Sequence, residues 1–266
     1  MPANSLFNLE LAILMPGAHL VNSGVSQTWK APIKTENGNN IIAFVKILPI
    51  NQIISEIVGA LLGKALGLKM PAPYLVKVNK NYLPDTSKWP SNDNELIAFG
   101  SADINFPSFS RFTKHDPIIR DLLYKWGYLK RTIIFDIWIA NIDRHDGNLL
   151  FDGVDFWLID HGYALTGPNW KPVDLKPSVS VENKLLSPMI PAMTTTDKHS
   201  LKLLAETEAH RYEKINIGDL KSLGKIENIG TAEQASAVLN FLHKRIDEVV
   251  TILCNKIGIP TLDLAE

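Results

Sequence analysis

One cysteine, Cys254, is all the chain has in 266 residues, so an intrachain disulfide and a cysteine-rich zinc site are both excluded. Cys254 sits in a helical pattern and reads as a buried apolar residue. An excess of charge is also missing: Lys plus Arg number 27, Asp plus Glu 28, and the net charge is −1. That balance argues against a nucleic-acid or polybasic membrane binder that works by bulk charge. No apolar run approaches the roughly 18 residues needed to span a bilayer, and Leu6–Met15 is broken by Asn8 and Glu10. A cationic lead before an apolar run is absent too. A cytoplasmic protein with no membrane span and no direct nucleic-acid binding is the expectation. Repeats and low-complexity tracts are lacking, so the chain reads as one continuous fold.

What is present changes character from front to back. Ala31–Lys34 and Ile41–Leu48 flank Asn37-Gly38, a dipeptide that accepts the positive φ of a hairpin turn, and read as two antiparallel strands. Asn51–Leu66 carries apolar residues at helical spacing and stops at Gly67, with Pro71 and Pro73 beyond. Tyr74–Val78 and Leu96–Phe99 read as strands. After Asp116-Pro117, placed like an N-cap and a first-turn proline, helices are expected at 118–125 and 128–140. Trp126, Tyr128, Phe135 and Trp138 fall at core spacing. A polar loop, Asn141–Asn148, leads into a small hairpin, Leu149–Phe151 and Phe156–Ile159. The proline- and serine-rich stretch 166–193 resists assignment, and 198–214 and 233–256 look helical. The boundary between a strand-rich part and a helical part falls between about Gly100 and Pro117, giving segments 1–105 and 106–266.

Asn141–Asn148 is the densest polar cluster, wedged between a buried-looking helix and a buried-looking strand. Asp160 ends the second strand of the following hairpin. A short hairpin brings its ends together, so Asn148 and Asp160 can ligand one cation, with Asp143 one loop-width away. Phosphoryl transfer needs such a set: a carboxylate to accept the hydroxyl proton, and an amide with a second carboxylate to hold magnesium against nucleotide phosphates. It also needs a cation on those phosphates. Lys46 lies inside the apolar strand Ala43–Ile47, with Glu56 ten positions on as an anionic partner on the next helix. Arg144 and His145 read as shaping the loop through hydrogen bonds, and His161 reads as structural.

The run Asp143-Arg144-His145-Asp146-Gly147-Asn148 resembles the Asp-Arg-His-x-x-Asn loop of HipA-like kinases and phosphatidylinositol kinases. Lys46, Glu56, Gly67–Tyr74, Ala98-Phe99-Gly100-Ser101 and Trp157–Gly162 follow in the order expected of a compact HipA-like kinase domain, and the likeness spans about 21–165. It implies an α+β, bilobed protein-kinase-like fold, with an N-terminal antiparallel sheet lobe carrying one helix and a mainly helical C-terminal lobe. It implies ATP and Mg2+ as cofactors, Asp143 as catalytic base, Asn148 and Asp160 as metal ligands, and Lys46, Glu56 and Phe99 at the ATP site. Two features depart from familiar kinases. The candidate phosphate loop, 22–28, has one glycine, so Ser23, Gly24, Ser26 and Thr28 are the candidate cradle. The residue after the metal-binding aspartate is His161.

A protein serine or threonine is the expected acceptor; a lipid or small-molecule kinase and a pseudokinase binding module remain as alternatives. A phosphohydrolase built on His115-Asp116 and His145-Asp146 is disfavoured, because the second dyad falls in a loop. Autophosphorylation at Ser23 or Ser26 would place charge beside the ATP phosphates. The residues name neither the substrate nor an antitoxin-like regulator.

Overall fold

A computed structural model describes residues 6–21, 27–87 and 89–261, without the side chain of Pro117. The chain is mixed α+β, with the sheet in its N-terminal part and the helices mostly behind it. β3 (Thr28–Thr35) and β4 (Asn40–Lys46) form the expected hairpin, in the register Trp29↔Val45 and Lys34↔Asn40, with Gly38 at φ +83° in the turn. β4 pairs with β6 (Glu95–Ala102), and β6 with β5 (Pro73–Asn79), both antiparallel.

The expectation of an antiparallel sheet needs correction at β1 (Glu10–Leu14). This strand pairs parallel with β5 and antiparallel with β3, so the order β1-β5-β6-β4-β3 returns to β1 and the sheet closes into a barrel. Closure removes the exposed edges that an open sheet of this size would present. β2 (His19–Val21) continues along the same edge of β3 after a four-residue interruption containing Pro16 and Gly17, the latter at φ +107°. Trp29, Ala31, Ile33, Ala43, Val45, Val76 and Ala98 fill the barrel as a separate core. Because strand side chains alternate faces, the inward Ala43 and Val45 put Lys46 on the outside.

α1 (Ile50–Ala65) covers that outer face. It is amphipathic in pattern but buried on every side from Ile53 to Gly63. Its apolar residues belong to the core of the helical part, together with Ile133, Ile134, Trp138, Leu201, Val238 and Leu253. α1 ends in a paired C-terminal motif, Gly67 N–H to the Lys64 carbonyl at 3.0 Å and Leu68 N–H to the Gly63 carbonyl at 2.9 Å. Arg131 and Arg211 both donate to the remaining Leu66 carbonyl, at 3.2 and 3.1 Å.

The helical part contains α2 (Ser110–Thr113), α3 (Arg120–Lys125), α4 (Leu129–Trp138), α5 (Thr195–Tyr212), α6 (Ile226–Ile229), α7 (Ala232–Arg245) and α8 (Val249–Ile257). Asp116 caps as expected, its carboxylate accepting from Ile118 N–H at 2.9 Å, but residues 117–119 make a 3-10 turn before α3 begins. The single helix expected at 233–256 is two. Glu248 and Val249 bond back only three residues, tightening the chain after Arg245. The Arg245 guanidinium is drawn into the interior by the carbonyls of Ile137, Pro177 and Val179. Cys254 is buried in α8. Tyr128 is exposed, unlike its core partners Trp126, Phe135 and Trp138, because it precedes α4 and lies on its solvent side. Among the described residues no helix is long and apolar enough to cross a membrane.

Candidate active site

α4 delivers the polar loop. The pattern runs helical to Ala140, but the helix stops at Trp138: Ala140 takes φ +49°, Ala140 N–H bonds the Ile137 carbonyl, and Asn141 N–H bonds the Asp136 carbonyl at 2.9 Å. This is the glycine-type helix exit made without glycine, and it turns the chain back over its own last turn.

The loop is then fixed from below by a buried network. Arg144, with a side chain 1% exposed, pairs with Asp136 through Nε at 3.1 Å and Nη2 at 3.3 Å. Its Nη1 donates to the carbonyls of Asn148 at 3.2 Å and Ile159 at 2.6 Å. The Asn141 amide donates to Asp136 at 2.9 Å, and its Oδ1 accepts from Asp143 N–H at 3.2 Å. One guanidinium thus binds both ends of the hairpin β7 (Leu149–Phe151) and β8 (Phe156–Leu158), which also meet through Ile159 N–H and the Asn148 carbonyl at 3.2 Å. Asn148 and Asp160 therefore lie at adjoining ends of the two hairpin strands. Arg144 shapes the loop, as its sequence context implies, and His145 does so locally, its Nδ1 accepting from Gly147 N–H at 2.9 Å.

The Asn148 amide nitrogen donates to the Asp143 carbonyl at 2.7 Å, which turns its oxygen away from that contact. Asp160 adopts φ +60°, a conformation costing about 1–2 kcal/mol for most L-residues and less for aspartate. Its side chain, 46% exposed, accepts from Lys46 Nζ at 3.0 Å. Lys46 also contacts Glu56 Oε1 at 2.9 Å, while Glu56 Oε2 accepts from His161 N–H at 2.8 Å. Burial opposes the charge on Lys46, but Glu56 and Asp160 outweigh it and raise its pKa above the ordinary lysine value. Burial, with Asp160's charge, pushes Glu56 up; Lys46 and the His161 amide pull it back. Asp160 lies lower than a free aspartate, since Lys46 overcomes the effect of burial. His161 is held neutral by burial and by the nearby Arg144 and Lys46 charges. Phe99 sits opposite Lys46 in the β4–β6 register, with its side chain buried in the core shared with α1.

A sequence profile described as HipA-like kinase matches residues 21–176. The chain belongs to the HipA-like kinase family. Lys46, Glu56, Asp143, Asn148 and Asp160 all fall inside the matched stretch, while α5–α8 lie beyond it. Among solved structures, this HipA-like kinase is similar to the Helicobacter pylori proinflammatory kinase CtkA, with TM-score 0.53, 15% identity, 91% of this chain covered and 97% of that one. At that identity the likeness concerns the fold. No curated protein matches the sequence.

Ser23, Gly24 and Ser26 lie outside the described residues; Thr28 opens β3. Two residues of the site are missed by the sequence reading. Asp136 has a visible signal, an acid within an otherwise apolar helix eight residues before an arginine. Lys184, whose Nζ is 2.6 Å from Asp143 Oδ1, has none, coming from the stretch that resists assignment.

Proposed function

We propose that this HipA-like kinase moves the γ-phosphoryl group of ATP to a serine or threonine hydroxyl of a protein, in a bilobed protein-kinase-like arrangement divided near residues 100–117. The observation that carries the reading is Lys46, held between Glu56 at 2.9 Å and Asp160 at 3.0 Å. A lysine kept charged on the outer face of a barrel strand, beside an aspartate in a left-handed conformation, is the cation that nucleotide phosphates require.

Asp143 is the proposed base. As the acceptor oxygen bonds to phosphorus, the bond from phosphorus to the β–γ bridging oxygen breaks, ADP leaves with that electron pair, and the hydroxyl proton passes to the Asp143 carboxylate. Arg144 and Asp136 contribute by fixing where that carboxylate stands. Asn148 Oδ1 and the Asp160 carboxylate are oxygen donors at adjoining ends of the hairpin, the type that suits magnesium. Among the described residues no group of three or more His, Cys, Asp or Glu could hold a metal. Two protein donors fit an ion that also takes phosphate oxygens. Bound there, magnesium would neutralise phosphate charge.

Incubation with magnesium and radiolabelled ATP tests the assignment. Label transfer to protein is expected from the unaltered chain and is expected to fall about 10²–10⁴-fold in Asp143→Ala, with a comparable loss in Asp160→Ala. Transfer unaffected by either substitution would overturn the roles of these two carboxylates. Nucleotide binding without transfer would favour a pseudokinase binding module.

A further inference from the structure

We infer that the cleft between α2, α3 and the loop 145–147 receives the acceptor, and that the acceptor is a polypeptide segment with acidic side chains beside its hydroxyl. The inference rests on the proposed role of Asp143 as the base. The cleft has a volume of about 550 Å³, and its wall includes Lys114, Arg120, Tyr124, His145, Asp146 and Lys184.

Its position relative to Asp143 decides its role. Lys184 Nζ lies 2.6 Å from Asp143 Oδ1, and His145 Nε2 lies 3.7 Å from Oδ2. Both carboxylate oxygens are therefore met by residues of the cleft wall. Lys46, Glu56 and Asp160, the phosphate-side residues, are not part of that wall. Asp143 is not part of that wall either; a hydroxyl held in this cleft meets it at the rim, where Lys184 and His145 reach its carboxylate.

Its charge decides the kind of acceptor. Three cations, Lys114, Arg120 and Lys184, stand against two carboxylates, Asp146 in the wall and Asp143 at its rim, in a chain whose net charge is −1. Arg120 is occupied by Asp146, at 2.7 Å from Nη2, and Lys184 by Asp143. Lys114 is exposed and has no carboxylate within ion-pair distance among the described residues. An acidic segment supplies the missing partner. The stretch that builds one wall also exposes Ile118, 75% accessible, and Leu122. A polypeptide that runs out of the cleft and around α3 can cover this apolar surface, whereas a small anion cannot. Lys184 lies beyond residues 21–176, so this contact with Asp143 belongs to a part of the chain that the family match does not include.

Fluorescence anisotropy with two labelled peptides, each with one central serine flanked by glutamates or by lysines, tests the inference without requiring turnover. The acidic peptide is expected to bind about tenfold more tightly, since each exposed charge pair contributes roughly two- to fivefold, and the preference is expected to weaken with added salt. Lys114→Glu, at an exposed position outside the phosphate site, should abolish the preference, and Lys114→Ala should reduce it. Equal binding of the two peptides, or a preference unchanged in folded Lys114→Glu, would overturn the inference. So would phosphorylation of an inositol phosphate with both peptides inert. Acidic-peptide binding without label transfer from ATP would retain the cleft assignment and overturn the kinase reading; transfer with no preference between peptides would do the reverse.

Discussion

Along residues 141–148 the polar side chains divide between the interior and the cleft. Arg144 points inward and is 1% exposed, and its charge is answered within the loop and α4 by Asp136 and two carbonyls. Asp143, the residue before it, is 27% exposed and is answered by Lys184, 41 positions away. The inner pair is complete and has no room to exchange partners. The outer pairs, Asp143 with Lys184 and Asp146 with Arg120, are partly exposed, with the cation the more accessible partner in each, and an ion pair so placed contributes about 0–1 kcal/mol and is readily exchanged for another. Charge that sets geometry is buried and satisfied; the charge proposed to meet a ligand is left accessible. Apolar residues could replace the inner pair without loss of stability in principle. The pair therefore makes sense as the device that places Asn148, Asp160 and Asp143, rather than as a source of stability.

The most forceful way to break this comparison is Arg144→Ala. It leaves Asp136 buried with its main partner gone, and the expected loss is about 3–5 kcal/mol, read as a lower denaturant midpoint. Lys184→Ala, on the outer side, should cost under about 1 kcal/mol. Equal losses in the two variants would erase the distinction between the faces. A double change, Arg144→Met with Asp136→Leu, sharpens it: stability should largely return while phosphoryl transfer does not.

Much of this arrangement is legible in the residues, and the illegible parts have physical reasons. The β3–β4 hairpin, α1, the small hairpin and the positions of Lys46, Glu56, Asn148 and Asp160 follow from local periodicity and turn chemistry, which short-range sequence carries. The barrel closure is not legible. β1 is the run Glu-Leu-Ala-Ile-Leu, whose outward Leu11 and Ile13 are as apolar as its inward Ala12 and Leu14, so the alternation that marks a half-buried strand is absent. The exit of α4 is hidden because Ala140 occupies a left-handed position that sequence rules assign to glycine. Lys184 cannot be found because nothing local announces a pairing made across 41 residues by a segment without regular structure. The amphipathic pattern of α1 is plain in the sequence, yet its complete burial depends on two cores meeting around it.

A smaller effect is expected where the interior tolerates no added atom. A Cβ on Gly59 would stand 2.4–2.6 Å from three atoms of the His161 side chain, which is itself buried and next to Asp160. Gly59→Ala must move α1 or the ring, at a cost of about 1–3 kcal/mol for overpacking. Because His161 N–H holds Glu56, and Glu56 holds Lys46, the same displacement should reach the phosphate side. Weaker ATP binding alongside the lower midpoint is the outcome that supports this chain of contacts. An unchanged ATP affinity in a destabilised Gly59→Ala protein would confine the effect to packing.

The smallest expected effect is at the hairpin turn, where a half-buried carboxylate is met by hydrogen bonds rather than by a buried counter-charge. Asp152 is held below its ordinary value of 3.8 first by the Asp155 backbone amide, then by the Trp157 indole and the Val154 amide, with Lys69 adding its charge at 3.5 Å. A carboxylate whose folded pKa is depressed stabilises the fold above its unfolded pKa. That contribution disappears as pH falls from about 4 toward the folded value. Asp152→Asn removes the titration, so the melting temperature of the variant should decline less steeply with acid over that window. The difference at neutral pH should be under about 1 kcal/mol, because the asparagine oxygen still accepts from the Val154 and Asp155 amides and only the weaker contacts to Oδ2 are lost. An acid limb of the same slope in both proteins would mean that the hydrogen bonds of this turn favour the protonated and ionised forms equally. The contrast between satisfied interior charge and weakly contributing accessible charge would then rest on Arg144 and Asp136 alone.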